Sequence, residues 1–271
     1  MEDIRIQQLR KIIREMDSVL VAFSGGVDSA LVLKVAFEEL GTKAVAFTAI
    51  SPTFPPEEQE QAQTLTKKWG MPHLLVSSYE LEREEYAQNK GDRCYFCKDE
   101  LFELARDTAQ KKGFAWVADG TIVDDLGAHR PGLKAAEEHF VRHPLVEASF
   151  DKTLVRAFAK ELGLPTWNKP SFACLGSRFS VGTRVTAQRL LAVQKVESYL
   201  RLIGVRQFRA RWHMLEDKQM LRIELAQADM PLVFSEGIRE GLIEIAQEQG
   251  FFWVTLDLMA YGTRRSSIPS S

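Results

Sequence analysis

Two groups of residues in this chain have the types and spacing of chemistry. Ser24-Gly25-Gly26-Val27-Asp28-Ser29 gathers two glycines, a carboxylate and two hydroxyls in one short stretch. Glycines let a backbone approach an anion closely and take up positive φ. If a helix starts here, its open N–H groups and dipole favour negative charge. Ser24 and Ser29 add hydroxyl donors. Asp28 cannot attract phosphate itself, so it suggests a magnesium ion or a fixed helix start. The stretch is not a Walker A loop, since no Gly-Lys-Ser/Thr follows, nor is it the Gly-x-Gly-x-x-Gly of dinucleotide folds. The competing view is a tight turn with no ligand. The second group is the cysteines: Cys94 and Cys97 in one Cys-x-x-Cys, and Cys174 by itself.

The surrounding elements place these residues. Ser18–Phe23 is a short apolar run, suited to a strand buried on both faces. Ala30–Leu40 has helical length and stops at Gly41. Lys43–Ile50, His73–Val76 and Ala115–Ala118 are further strands, and His143–Val146 is a short fifth. Glu57–Gly70, Asp99–Lys112 and Asp151–Leu162 are helices, the last two each followed by a glycine. Alternation of strand and helix predicts a parallel sheet covered on both faces. Ligands of such sheets bind beyond the carboxyl ends of the strands. The Ser24–Ser29 loop, Thr48–Ser51 and Asp119-Gly120 all fall there.

After Ser180 the pattern changes. Val185–Leu202 and Glu236–Gln249 read as helices. Gln207–His213, Met220–Leu225 and Phe251–Leu258 read as strands. The expectation is an α/β domain over 1–182 and a smaller α+β domain over 183–271, serving substrate binding or oligomerisation. The tail Arg264–Ser271 is expected to fray.

Ser24–Ser29 resembles the PP-loop of ATP pyrophosphatases, whose fold is adenine nucleotide alpha hydrolase-like. That superfamily includes GMP synthetase, asparagine synthetase and tRNA thiolation enzymes. Members adenylate an oxygen of the substrate, release pyrophosphate and let a nitrogen or sulfur nucleophile displace AMP. The resemblance implies that Ser24, Gly25, Gly26, Asp28 and Ser29 hold pyrophosphate and Mg2+. It implies that Ala22, Phe23 and Thr48 line the adenosine pocket of bound ATP, and that Asp119 and Gly120 border the adenylate. The chemistry is coherent, because a carboxylate is a poor electrophile and AMP leaves far more readily than hydroxide.

The cysteines leave four readings open: three inert buried thiols, a redox pair at Cys94 and Cys97, a zinc site lacking an evident fourth ligand among five histidines, and a [4Fe-4S] cluster on Cys94, Cys97 and Cys174. Further segments narrow the resemblance. Gly91-Asp-Arg-Cys94-Tyr-Phe-Cys97-Lys98, Ala118-Asp119-Gly120-Thr121, Arg130-Pro131-Gly132-Leu-Lys-Ala135, Trp167-Asn168-Lys169-Pro170 and Phe208-Arg209-Ala-Arg211-Trp212-His213 occur in the order of one family. Together they resemble the LarE family, ATP-dependent sulfurtransferases of nickel-pincer nucleotide biosynthesis. The resemblance implies adenylation of the carboxylates of pyridinium-3,5-biscarboxylic acid mononucleotide and their conversion to thiocarboxylates. In some members one cysteine, here matched by Cys174, gives up its own sulfur and becomes dehydroalanine. Members with the further pair look like cluster enzymes, and with all three cysteines present this chain leans that way.

Other residues suit a phosphorylated substrate. Arg209 and Arg211 alternate on one strand and so share a face, and two guanidiniums suit a phosphate monoester. The alternative is a solvated face. Ser177 and Arg178 follow Cys174 closely enough to reach phosphate or the acyl-adenylate. Arg130, in a Pro-Gly loop, suits a lid residue as well as a plain surface charge, and Glu197 and Glu224 are weaker substrate or metal candidates.

Composition excludes other classes. Lys and Arg number 35 against 37 Asp and Glu, a net charge of −2. That balance disfavours a nucleic-acid coat and hence a tRNA thiolase. A non-catalytic ATP sensor is the other rival. No apolar run has the length of a membrane helix, and Met1–Met16 does not read as a signal peptide. Three cysteines argue against a disulfide framework and for a reducing, cytoplasmic setting. A homo-oligomer is expected by analogy with the family.

Overall fold

The computed structural model describes residues 3–127, 131–170 and 173–263. It divides into two compact units, Met1–Ala173 and Cys174–Ser271. The division falls before Cys174, whereas the composition change suggested one near Gly182-Thr183.

The first unit runs α1 (Ile4–Arg14), β1 (Val19–Ala22), α2 (Val27–Leu40), β2 (Ala44–Ile50), α3 (Pro56–Trp69), β3 (His73–Ser77), α4 (Glu84–Gln88), α5 (Arg93–Lys112), β4 (Trp116–Ala118), α6 (Val123–Leu126), α7 (Pro131–Glu138), α8 (Pro144–Glu147) and α9 (Lys152–Glu161). Four strands form one sheet in the order β3-β2-β1-β4, every pair parallel. Strand residues alternate between two cores, as a pleat with both faces covered requires. Val19, Val21, Ala44 and Ala46 join a core with α1, α2, α3 and α9. Leu20, Ala22, Val45 and Phe47 join another with α5 and α7. The parallel, doubly covered sheet is as the alternation of elements predicts.

Three local expectations are corrected. His143–Val146 is not a strand: Pro144 opens the short helix α8, its fixed φ suited to a first helical position. The cysteine helix begins at Arg93, not Asp99, so Cys94 and Cys97 lie in its first turns. The segment from Pro131 is the helix α7 and not an open loop.

The second unit contains α10 (Ala187–Leu202), β5 (Phe208–Leu215), β6 (Lys218–Leu225), α11 (Ile238–Glu248) and β7 (Phe251–Leu256). Its sheet has the order β5-β6-β7, with β5 and β6 antiparallel and β6 and β7 parallel. Glu216 and Asp217 join the hairpin, and both have positive φ, at 47° and 61°. A two-residue connection twisted that way matches the twist of its strands and fixes the register. Arg209 therefore pairs with Glu224, and Arg211 with Arg222.

Candidate active site

The phosphate loop leaves the carboxyl end of β1 and opens α2. Gly25 has φ +72°, a conformation that favours glycine, and a Cβ there would press on that of Ala62 at 3.3 Å. Gly26 caps α2 with no side-chain hydrogen bond, which leaves first-turn N–H groups open to an anion. The Ser24 and Ser29 hydroxyls are 3.2 Å apart, and the Ser29 hydroxyl donates to the Gly26 carbonyl. Gly120 follows β4 and closes on the same spot. A Cβ on it would be 2.6 Å from the Ser29 nitrogen. Asp119-Gly120 and Ser24–Ser29 are thus brought together as the strand-end argument expects.

Two lysines that the sequence reading did not select also meet the loop. Lys152 Nζ is 2.7 Å from both carboxylate oxygens of Asp28. Lys169 Nζ donates to Glu58 at 2.7 Å and to the Gly25 carbonyl at 3.3 Å. Lys169 belongs to the Trp-Asn-Lys-Pro segment, the one hint the sequence held.

Phe23 and Thr48 are buried, and Ala22 is 8% exposed. The Thr48 hydroxyl donates to the Phe23 carbonyl at 2.5 Å and lies 2.8 Å from His73 Nε2. His73 Nδ1 faces the Thr66 hydroxyl at 3.0 Å. Burial pushes the His73 pKa down to about 4, so the ring is neutral at pH 7. Thr48 and His73 therefore hold the strand end from which the loop departs.

Asp119 is buried and accepts from the Thr121 amide and hydroxyl and from His143 Nδ1 at 2.7 Å. Burial alone would raise its pKa. The hydrogen bond and charge of His143, with Lys98 and the Thr121 amide, outweigh that and hold the carboxyl below its usual range. Burial in turn would lower the His143 pKa, but Asp119 and Glu147 raise it above the ordinary value against the opposing charge of Lys98.

Cys94 is exposed and Cys97 half-buried on α5. One helical turn apart, they share a face. Gly132 of α7 packs here: a Cβ on it would come within 2.9 Å of Lys98 Cγ and 3.5 Å of the Cys94 carbonyl. The Cys-x-x-Cys and Pro-Gly segments thus form one helix pair. It is tied by the Tyr95 hydroxyl donating to Glu138 and by His139 against Asp99. Arg130, expected as a lid residue, and the tail Arg264–Ser271 lie outside the described residues.

In the second unit Cys174 is half-buried and begins a 3-10 turn over Leu175–Arg178. Its carbonyl accepts from the Ser177 amide and hydroxyl and from Arg178 Nη1. Arg178 and Glu197 form a two-pronged ion pair at 2.6 and 2.9 Å with both side chains 0% exposed. Glu197 also accepts from the Ala210 amide of β5. Arg178 and Glu197, expected at the substrate, are both fully buried here. Enclosed against each other, they hold the Cys174 turn on α10 and β5.

Arg209 is likewise buried, 4.6 Å over the Tyr261 ring. Its neighbour Arg211 lines a cavity of about 330 Å³ together with Arg222, Glu224, Tyr261 and Thr263. Arg211 donates to the Ser177 carbonyl at 3.0 Å and to Glu224 at 2.8 Å. Only one member of the expected arginine pair therefore lines the cavity. Its second cation is Arg222, opposite Arg211 in the hairpin register. Glu224 lines the same cavity and pairs with both guanidiniums, lying 3.0 Å from Arg222.

Comparison with known proteins supplies the family. The chain is 38% identical over 256 residues, 93% of this chain and 90% of the other, to the pyridinium-3,5-bisthiocarboxylic acid mononucleotide synthase of Lactiplantibacillus plantarum. The chain belongs to the LarE family. It is also 41% identical, over 95% of its length and 94% of the other's, to an uncharacterised protein of Synechocystis sp.. The glutamine-hydrolysing GMP synthase of Pyrobaculum aerophilum is 28% identical over 76% of this chain and 46% of its own length. No family model matches.

Two groups expected in a LarE-family chain can be tested against these residues. Mg2+ suits the Asp28 carboxylate, a hard oxygen donor whose two oxygens already grip a cation, the Lys152 ammonium. For the [4Fe-4S] cluster, no three His, Cys, Asp or Glu side chains gather as a metal-holding group among the described residues. Nor is any helix of the described residues long and apolar enough to cross a membrane.

Proposed function

We propose that this LarE-family chain is an ATP-dependent sulfurtransferase acting on pyridinium-3,5-biscarboxylic acid mononucleotide. The observation that carries the reading is its relation to the L. plantarum synthase across nearly the whole chain. The uncapped phosphate loop supports it, as a place for the β- and γ-phosphates of ATP.

A substrate carboxylate oxygen attacks the α-phosphorus and pyrophosphate leaves. Open N–H groups of α2 and the Ser24 and Ser29 hydroxyls stabilise the departing charge. Asp28 would hold Mg2+, which when bound would supply further charge neutralisation. Thr48 and Asp119-Gly120 fix the strand ends beside the nucleotide. The Arg211 and Arg222 guanidiniums receive the mononucleotide phosphate. Cys174 then attacks the acyl carbon as thiolate, forming a C–S bond as the bond to AMP breaks. Loss of the Cys174 α-proton with cleavage of its Cβ–S bond releases the thiocarboxylate and leaves dehydroalanine. Ser177, Arg178 and Glu197 position the backbone that presents this thiol. The enzyme is a homo-oligomer of the cytoplasm in this reading, with no nucleic-acid partner.

The test is incubation of the anaerobically purified chain with MgATP and the pyridinium biscarboxylate, with tRNA as the competing substrate. Pyrophosphate, AMP and a thiocarboxylate only from the mononucleotide are expected. Thiolated tRNA, or ATP binding without turnover, overturns the reading. Iron and sulfide are measured on the same protein. About four of each per chain would assign the sulfur to a cluster and not to Cys174 itself.

A further inference from the structure

His143 has no part in the scheme above, yet it is hydrogen-bonded to a residue of the strand end beside the phosphate loop. Asp119 is the residue before Gly120, whose backbone abuts the first turn of α2. Three donors fix its carboxylate: the Thr121 amide, the Thr121 hydroxyl and His143 Nδ1. With Nδ1 donating to Asp119, the ring's second nitrogen faces away from the carboxylate. Among the described residues no hydrogen bond is made at that Nε2. The His143 side chain keeps 21% of its surface, against 8% for Asp119. A buried carboxylate that orients an imidazole and stabilises its protonated form, leaving one nitrogen open, is a proton-handling arrangement.

We propose that His143, held by Asp119, is the proton donor to departing pyrophosphate in the adenylation step. The proposal rests on the function argued above and adds a residue to it. As the carboxylate oxygen bonds to the α-phosphorus and the bridging P–O bond breaks, the bridging oxygen takes the proton from His143 Nε2. The imidazole is left neutral and regains a proton from solvent, so atoms and charge balance without another reactant. The charged groups around the ring are Asp119 at the end of β4, Glu147 on α8 and Lys98 on α5. The two carboxylates favour the imidazolium and Lys98 opposes it.

The test is the pH dependence of pyrophosphate release from MgATP and the pyridinium biscarboxylate by wild type, His143→Asn and Asp119→Asn. Asparagine at 143 offers an N–H to Asp119 in place of Nδ1 but nothing in place of Nε2. Wild-type kcat is expected to hold at low pH and fall as pH rises through a pKa above 6.5. His143→Asn should lose roughly 100-fold in kcat, with little change in the KM for ATP, and lose that falling limb. Asp119→Asn should keep the limb but move it to lower pH. A His143→Asn enzyme with wild-type rate and profile overturns the proposal. If that variant does not fold, an Asp119→Asn profile identical to wild type does so. A wild type that releases no pyrophosphate overturns the functional reading and this step together, so the two failures are distinguishable.

Discussion

Two ion pairs of similar chemistry stand in opposite settings in the two units. Lys152 and Asp28, at the phosphate loop, keep 34% and 27% of their side-chain surface. Arg178 and Glu197, behind Cys174, keep none. A half-exposed pair is weak and exchangeable, since water screens each partner. A fully enclosed pair cannot exchange, because removing one partner strands the other without solvent. The loop thus holds a cation position that a ligand can take over, while the second unit holds a fixed strut. The difference separates residues that meet ligands from residues that place them, which residue type alone does not.

The comparison is most exposed to test at the strut. Glu197→Ala should cost about 3–5 kcal/mol of stability, measured by urea unfolding of the full chain. A loss below about 1 kcal/mol would put Glu197 in the exchangeable class. Next comes the close approach beside the loop. Gly120→Ala sets a Cβ 2.6 Å from the Ser29 nitrogen, an overpacking of about 1–3 kcal/mol. It should weaken ATP binding in calorimetry more than it lowers the melting temperature.

His73 gives a pH-dependent effect of similar size. Its folded pKa is near 4, against an unfolded value of about 6.5. Between these values the unfolded chain binds the extra proton. Stability is therefore full above pH 6.5 and falls as pH drops toward 4, by about 2 kcal/mol once the roughly 3 kcal/mol of the full shift is discounted for the ring's partial exposure to water. Thermal melts of His73→Asn should lack this slope, and a slope unchanged by the substitution would assign it to other groups. The smallest effect belongs to the exchangeable pair. Lys152→Met should change stability by under about 1 kcal/mol and lower the Mg2+ concentration needed for half-maximal pyrophosphate release. A large stability loss would erase the contrast between the units.

Much of the first unit is legible in the sequence because its signals are local. A buried apolar run, a glycine turn and a helical run point to a strand, a loop and a helix, and strand ends gather at one edge of a parallel sheet. Lys152, Lys169 and His143 carry no such signal, since each reaches its partner only through the fold. His143–Val146 misleads because Pro144 stands as readily at a helix start as at a strand edge. Arg93–Lys98 hides its helix because a buried arginine, a half-buried lysine and two thiols there interrupt the apolar period. In the second unit the alternation of Arg209 and Arg211 gives their shared face but not their depth. Burial of Arg209 and the entry of Arg222 depend on the hairpin register set by Glu216 and Asp217.

The central claim is that adenylation belongs to the phosphate loop and sulfur transfer to Cys174. Its most direct test is a single anaerobic turnover of wild type and Cys174→Ala with MgATP and the pyridinium biscarboxylate, with pyrophosphate and thiocarboxylate quantified together. The account predicts that Cys174→Ala releases pyrophosphate as wild type does and forms no thiocarboxylate. Thiocarboxylate at the wild-type yield from Cys174→Ala would contradict it.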